Sequence, residues 1–372
     1  MTPRVVIGGG GVAGIEAALA LRDLSGEKLE IELHSPRREF LYRPYAVGEP
    51  FGLAEVRRYD LKRIARRAGF ELKFSSLKSV DPTAKQITTF EEDIDYDHLI
   101  IATGVQLLWS IPGVTIFWGG PDEYDSELVI EQLGDKDLKR LVFTMPAGRS
   151  WSLPMYELAL LAGSRLREDS ATRETHLMIV TPEEEPLRIF GKEVSGQIKQ
   201  LLIDREIELV PGTHPKKFEA KHLTVAPGEP IYADAVISLP QMQGRAIAGI
   251  PHDDRGFVPT DYHGRVQGLD DVYAAGDVTT FPVKQGGLAS QQSDAIAEVI
   301  AASIEPDLDP RPFDPVLRGV LWTGQENKYL FGHLAPGHGE PSILADEPPW
   351  PEQDGKIISR YLSYLLAEEA ST

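Results

Sequence analysis

The stretch that decides the fold is residues 4–21, RVVIGGGGVAGIEAALAL. Residues 5–7 are a β-branched apolar run, typical of a strand that is buried on both faces of a parallel sheet. Glycines in the pattern G-x-G-x-x-G follow, and residues 15–21 predict a helix. Because the free amides and the dipole of a helix N-terminus attract anions, this order predicts a bound dinucleotide. Gly9 permits the tight turn, Gly11 lets the pyrophosphate approach, and Gly14 lets the helix pack on the strand. The predicted cofactor-binding residues of this segment are Gly9, Gly11, Val12, Ala13 and Gly14.

The second predicted strand, residues 29–33, lacks the acid that usually holds the adenosine ribose. It ends in His34 and Ser35, where an Asp or Glu is expected. A serine hydroxyl can contact a ribose, although it brings no charge. Ser35 is therefore predicted as the contact that replaces the acid.

A second diagnostic stretch lies far along the chain, at residues 271–281, DVYAAGDVTTF. It predicts a buried strand that ends in Gly276 and Asp277. A carboxylate at a buried strand end is costly unless a hydroxyl or an amide satisfies it. Asp277 either caps a helix or accepts a hydrogen bond from a ligand. Combined with the glycine turn, the ligand-binding interpretation indicates FAD.

The composition is that of an acidic globular protein of 372 residues, with 42% hydrophobic residues and a net charge of -19. This length predicts two or three domains. The negative charge argues against binding to nucleic acid and against electrostatic attachment to anionic lipid. Residues 1–4 lead straight into the first strand, and no apolar run is long enough to span a bilayer. We therefore expect a soluble cytoplasmic protein, and no residue pattern predicts a metal site.

The chain contains no cysteine. Flavoproteins often pass electrons through a cysteine pair, and no other side chain can carry out thiolate chemistry. Every mechanism through a disulfide or a persulfide is therefore excluded.

Alternating strands and helices predict an α/β fold with two Rossmann-like, doubly wound domains, the second inserted in the first. The expected boundaries are 1–108 and 241–312 for the first domain, 109–240 for the second, and 313–372 for a C-terminal extension. The extension is expected to end in a helix at residues 356–367, whose apolar face predicts packing or homodimerisation rather than contact with lipid.

The order of the glycine turn, Ala102-Thr103-Gly104 and Gly276-Asp277 resembles that of the two-dinucleotide-binding-domain flavoproteins, the pyridine nucleotide-disulfide oxidoreductase-like superfamily. Within it, residues 35–44, SPRREFLYRP, look most like sulfide:quinone oxidoreductases and type II NADH dehydrogenases. This resemblance implies FAD in an extended pose, with Asp277 accepting a hydrogen bond from its ribityl chain.

The resemblance also implies where the flavin ring and the adenine lie. A helix that begins near Gly286 directs its amides at the flavin edge where negative charge collects on reduction. Lys284 either adds a positive charge at that edge or is simply solvated. The further implied contacts are Arg43, Pro44, Leu77, Lys284, Gln285 and Gly286.

The second unit lacks a full glycine fingerprint, since residues 146–157 read PAGRSWSLPMYE and offer only Gly148. Trp151 and two prolines obstruct the close approach of a pyrophosphate. This resembles the degenerate second domain of sulfide:quinone oxidoreductases. Two features point instead to nicotinamide binding. Glu157 matches a glutamate near the nicotinamide in NADH dehydrogenases, and residues 183–185 stand where a ribose-binding acid is expected.

These observations predict an FAD-dependent oxidoreductase with a small-molecule donor and acceptor. The first hypothesis is transfer from NAD(P)H to a quinone or similar small acceptor. The second is a donor other than nicotinamide, without cysteine chemistry, and the third is an FAD-binding protein without turnover. Lys284 and Glu157 are the candidate catalytic residues.

Overall fold

Two parallel five-stranded sheets organise the molecule in the computed structural model, which describes residues 2–120, 124–334, 342–351 and 355–370. Each sheet carries helices, and the observed α/β architecture confirms the predicted pair of Rossmann-like units. Parts of the predicted C-terminal extension lie outside the described residues.

The first sheet is assembled from both ends of the chain. Its central strand, Arg4–Gly8, is the predicted apolar run, and the side chains of Val5, Val6 and Ile7 are fully buried. From edge to edge the parallel strands are Val272–Ala274, His98–Ile101, Arg4–Gly8, Glu30–His34 and Glu71–Lys73. Its helices are Val12–Ser25, Leu61–Ala68 and Gly286–Ala302.

The second sheet is built from residues between the two parts of the first. Its parallel strands are, in order, Thr115–Ile116, Ala235–Ser238, Arg140–Thr144, His176–Val180 and Ile207–Val210. The helices of this unit are Tyr124–Leu133, Leu153–Glu168 and Lys192–Asp204.

Short antiparallel strands and 3₁₀ helices complete the fold. Gln106–Leu108 pairs with Gln241–Gln243 where the chain passes between the two units. The other antiparallel strands are Glu39–Tyr42 with Arg57–Asp60; Ser79–Asp81, Gln86–Thr88 and Asp93–Asp95; His214–Glu219, His222–Ala226 and Ile231–Tyr232; and Val316–Leu321, Lys328–His333 and Ile343–Ala345. The 3₁₀ helices are Arg43–Phe51, Arg188–Phe190 and Gly276–Val278.

The last helix departs from the sequence prediction, because it spans Leu362–Ala370 rather than residues 356–367. Its start is set by Glu16, a buried residue of the first helix. The Glu16 carboxylate accepts hydrogen bonds from the amides of Arg360, Tyr361 and Leu362 at 3.0, 2.9 and 2.7 Å. A carboxylate from a distant helix therefore caps this N-terminus, and Leu362 and Leu366 pack into the first unit.

We expect Glu16→Ala to lower the free energy of unfolding by about 3 kcal/mol, because three buried amides lose a charged acceptor. Glu27→Ala, at an exposed position after the same helix, is the matched control. The measurement is urea unfolding of both variants beside the parent protein. Equal stability of the two variants would show that the cap is unimportant.

Candidate functional site

The glycine turn has room for a ligand on one side and none on the other. A Cβ atom on Gly14 would lie 1.8 Å from the carbonyl oxygen of Gly9, and one on Gly9 would lie 2.1 Å from that of Ala102. A Cβ on Gly11, by contrast, would meet nothing within 4 Å. Gly9 and Gly14 are thus required for packing, while Gly11 faces open space before the helix Val12–Ser25.

Three separate segments meet around this open space. The amide of Ala102 donates to the carbonyl of Gly8 at 2.8 Å, which brings residues 102–104 beside the turn. Gly104 has a φ of 66° and no atom within 4 Å of its Cβ position. Gly276 lies against Ala13, with 3.1 Å between the Cβ position of Gly276 and the Cβ of Ala13. The structure therefore brings together all three motifs found in the sequence.

Asp277 is a half-buried carboxylate that makes no hydrogen bond or ion pair with any described residue. Burial raises its pKa, and the positive charges of Lys284 and Arg43 oppose that shift. The Thr103 hydroxyl is also buried without a hydrogen-bond partner. A ligand rich in hydroxyl groups would satisfy both side chains, so these residues fit the ribityl chain of FAD.

Lys284 is buried, with 4% of its surface exposed, so the alternative of a solvated lysine is wrong. Its ammonium donates to the carbonyl of Thr279 at 2.5 Å and lies 4.4 Å from the centroid of the Phe257 ring. Burial lowers the pKa of Lys284 to about 8, although the charge of Asp277 acts in the opposite direction. The lysine therefore carries a desolvated positive charge close to Asp277.

Gln285 and Gly286 begin the helix Gly286–Ala302. The side-chain oxygen of Gln285 accepts from the amide of Leu288 at 2.9 Å, which caps the helix. The Cβ position of Gly286 is 3.0 Å from Ile357, so residues 355–361, here called the covering segment, lie over this N-terminus. Gln285 thus orients the helix end that the sequence assigned to the flavin.

The other predicted cofactor contacts, Arg43, Pro44, Leu77 and Ser35, range from exposed to buried. Arg43 is exposed, and Pro44 stands in the first turn of the 3₁₀ helix Arg43–Phe51. Leu77 contacts the end of the first strand, 3.2 Å from the Cβ position of Gly8. Ser35 is buried, and its hydroxyl both donates to the carbonyl and accepts from the amide of Arg37. Its role as a ribose contact stays a prediction.

Glu157 is fully buried in an ion pair with Lys356 of the covering segment. It also accepts from the amide of Trp322 at 2.9 Å, and the Lys356 ammonium lies 4.2 Å from the centroid of the Trp322 ring. Burial raises the pKa of Glu157 and lowers that of Lys356, and each charge opposes the shift of the other. Glu157 thus joins the second unit to the C-terminal extension.

Sequence reasoning missed Lys356, since it lies 199 residues from Glu157 and no local pattern singles it out. It also missed Tyr42 as the anchor of the covering segment. The Tyr42 hydroxyl accepts from the amides of Lys356 and Ile357 at 2.6 and 2.7 Å. Burial, the largest cause, raises the pKa of Tyr42, so the hydroxyl stays protonated at neutral pH.

In the second unit, a carboxylate lies at the N-terminus of the helix Leu153–Glu168, the end of the helix where a dinucleotide would place its pyrophosphate. Glu183 follows the strand His176–Val180 and accepts from the Ser152 hydroxyl at 2.9 Å and the Tyr156 hydroxyl at 2.6 Å. Both donors stand at the start of the helix Leu153–Glu168. Burial raises the pKa of Glu183, while the hydrogen bonds from Tyr156 and Ser152 oppose that shift.

Within the described ranges, no group of three or more His, Cys, Asp or Glu side chains could hold a metal ion. None of the helices placed there has both the length and the apolar character required to cross a membrane.

We expect Gly11→Val to preserve the fold and abolish cofactor binding, because the new side chain projects into the open space. Gly14→Val, with its Cβ 1.8 Å from a carbonyl oxygen, is expected to destabilise the fold itself. Flavin content and thermal unfolding distinguish the two effects. Full flavin occupancy in Gly11→Val would contradict this placement of the pyrophosphate.

The buried ammonium of Lys284 predicts a pH-dependent stability in the ligand-free protein. Its pKa is about 8 in the fold against 10.5 ordinarily, so unfolding takes up a proton between these values and stability rises with pH. Between pH 8 and 10.5, the free energy of unfolding of the parent protein should rise by on the order of 2–3 kcal/mol relative to that of Lys284→Met. Urea unfolding as a function of pH measures the difference, with exposed Lys192→Met as control. A pH-independent difference would refute it.

Known proteins share this architecture and are similar to this chain in sequence. A family model described as pyridine nucleotide-disulphide oxidoreductase matches residues 3–144 and 156–302. Sulfide-quinone reductase of Aquifex aeolicus (strain VF5) is 26% identical over 337 residues, covering 87% of this chain and 73% of that protein. The crystal structure of the sulfide:quinone oxidoreductase from Aquifex aeolicus superposes with a TM-score of 0.83 at 21% identity, covering 92% of this chain and 87% of that one.

A third relative is the external alternative NAD(P)H-ubiquinone oxidoreductase B3 of Arabidopsis thaliana, a mitochondrial protein. It is 23% identical over 321 residues, and the match covers 74% of this chain and 54% of the relative, so the chain spans about half of its length. Together with the glycine turn, the open cleft and the unsatisfied Asp277, these matches identify the chain. It belongs to the pyridine nucleotide-disulphide oxidoreductase family and is an FAD-dependent oxidoreductase.

Proposed function

We propose that this flavoenzyme passes two electrons to a quinone-type acceptor and takes them from a small-molecule donor other than NAD(P)H. The observation that carries the choice of donor is the half-buried carboxylate of Glu183, which is hydrogen-bonded at the start of the helix Leu153–Glu168. The choice of acceptor follows from the relatives, whose names include quinone and ubiquinone.

Glu183 opposes a dinucleotide in the second unit through charge. In a nucleotide-binding Rossmann unit, the positive end of the helix dipole faces the pyrophosphate. Here the carboxylate of Glu183 is held at that end by the hydroxyls of Ser152 and Tyr156, which stabilise its position. A pyrophosphate would therefore meet a negative charge where it needs a positive one.

The loop before this helix is also unsuited to a phosphate. Gly148 is its sole glycine, and the Trp151 ring packs 5.9 Å from that of Phe190. Arg149 pairs with Asp253 at 2.8 Å and donates to the carbonyl of Thr280 at 2.9 Å. Its charge is thus engaged by the first unit rather than offered to a ligand.

The first unit supplies the residues that we propose for the flavin. When bound, FAD supplies two-electron transfer between the two substrates. The amides beginning at Gly11 hold its pyrophosphate, and Asp277 accepts from its ribityl chain. The capped helix end at Gly286 and the charge of Lys284 favour negative charge at the ring edge, which promotes reduction.

The proposed domain boundaries separate the flavin-binding unit from the unit that lacks a dinucleotide site. We propose 1–108 and 241–312 as the FAD-binding domain, 109–240 as the second, degenerate domain, and 313–372 as the extension.

A cytoplasmic location and a homodimer are also proposals. The location rests on the acidic composition, with a net charge of -19. The dimer rests on the apolar residues of the terminal helix, among which Tyr364 is 50% exposed.

NAD(P)H is the second candidate donor, favoured by the position of Glu183 after the strand His176–Val180. A ribose-binding acid is expected at the end of this strand. If the carboxylate turns outward to a ribose, Glu183→Gln should raise the KM for NAD(P)H about tenfold, by analogy with the loss of one charged hydrogen bond. Exposed Glu184→Gln is the matched control.

Anaerobic reduction decides between the two donors. We expect the visible absorption of the purified holoenzyme to stay unchanged with excess NADH or NADPH. After chemical reduction with dithionite, menadione should restore the oxidised spectrum. Saturable bleaching by NADH or NADPH would reject the proposed donor class, and failure of quinones to reoxidise the flavin would reject the proposed acceptor.

A further inference from the structure

Two tryptophans and an arginine form a group beside the cofactor cleft, in which Trp109 and Arg43 are exposed and Trp118 is half-buried. Trp109 is 60% exposed, and its ring lies 6.3 Å from that of Trp118 in an edge-to-face arrangement. The guanidinium carbon of Arg43 is 5.7 Å from the centroid of Trp118. We call Trp109, Trp118 and Arg43 the aromatic platform.

The platform lies near the flavin-facing residues. Asp277 and Asp125 are the carboxylates whose charges act on Arg43, and Asp277 is the proposed ribityl contact. Arg43 also follows Tyr42, which anchors the covering segment. The platform therefore borders the cleft at the end where the flavin ring is expected.

The backbone beneath both rings is held firmly. The amides of Trp118 and Gly119 donate to the carboxylate of Asp125 at 2.8 and 2.7 Å. Trp109 directly follows Gln106–Leu108, the strand that pairs with Gln241–Gln243 between the two units. A large aromatic side chain that stays exposed beside such an anchored segment, as Trp109 does, is typical of a binding site.

The Arg43 guanidinium makes no ion pair or hydrogen bond with any residue that the structure describes. It lies over the Trp118 ring instead. A guanidinium offers paired N–H donors that match a carboxylate or sulfonate. In a chain with a net charge of -19, an exposed arginine beside the cleft provides local attraction for an anion.

We propose that the aromatic platform binds the electron acceptor, and that this acceptor is a planar quinone-type ring carrying an anionic substituent. This inference rests on the proposed function and adds the substrate class. The exposed face of Trp109 stacks on the ring, Trp118 supports Trp109 edge to face, and Arg43 binds the carboxylate or an equivalent acidic group. An anionic quinone then binds more tightly than a neutral quinone of the same ring size.

The test uses the oxidised holoenzyme and two probes that share a ring system, the anionic naphthoquinone sulfonate and neutral menadione. Binding is measured by isothermal titration calorimetry. Trp109→Leu should raise the Kd of both probes about fivefold. Arg43→Met should raise the Kd of the sulfonate on the order of tenfold and leave that of menadione nearly unchanged. Matched controls are the exposed residues Tyr262→Leu and Arg173→Met.

Flavin content is measured for each variant, because Arg43 is also a predicted cofactor contact. If Arg43→Met loses flavin, the decision falls to Trp109→Leu, whose side chain is predicted to contact the substrate and not the cofactor. An unchanged Kd of both probes in Trp109→Leu would overturn the proposal, as would equal affinity of the parent protein for both. If either of these two binding results is found and quinones still reoxidise the reduced flavin, the assignment of the aromatic platform fails but the proposed function is retained.

Discussion

Close packing of the helices Val12–Ser25 and Gly286–Ala302 is the constraint on which the cofactor site depends. Small side chains make this approach possible, and the buried Ser293 hydroxyl donates across it to the carbonyl of Ala13 at 2.8 Å. The first helix brings the glycine turn, and the second brings Gly276 and the capped N-terminus at Gly286. Larger residues at this interface would separate the pyrophosphate region from the ring region, although each half kept its own geometry.

Local patterns in the sequence were sufficient for the parts of the site that depend on neighbouring residues. The strand at residues 5–7, the glycine turn and the helix that follows it depend on spacing and propensity, and the structure confirms them. The start of the last helix was wrong because it depends on Glu16, which lies 346 residues before Leu362. Lys356 was missed for the same reason, since its meaning comes from Glu157 across the fold. The sequence left two alternatives for Lys284, a solvated side chain or a charge near the cofactor, because burial is a tertiary property.

The C-terminal extension packs against residues of the candidate site, although it is far from them in sequence. Its covering segment contacts Gly286, is held by Tyr42, and carries the counter-charge of Glu157. A buried carboxylate without its ammonium partner is strongly destabilising. The extension therefore balances a buried charge of the second unit and also covers the N-terminus of the helix Gly286–Ala302.

The split construction of the first sheet also constrains how the protein is made. During synthesis, the strand His98–Ile101 emerges long before Val272–Ala274, its neighbour on the outer side. Until the ribosome has passed that point, one row of backbone groups on the inner strand has no partner, and such an edge invites aggregation. The intervening unit is continuous in sequence and can complete its own sheet first. Nascent chains of this architecture thus expose an unpaired sheet edge until the strand Val272–Ala274 has been made.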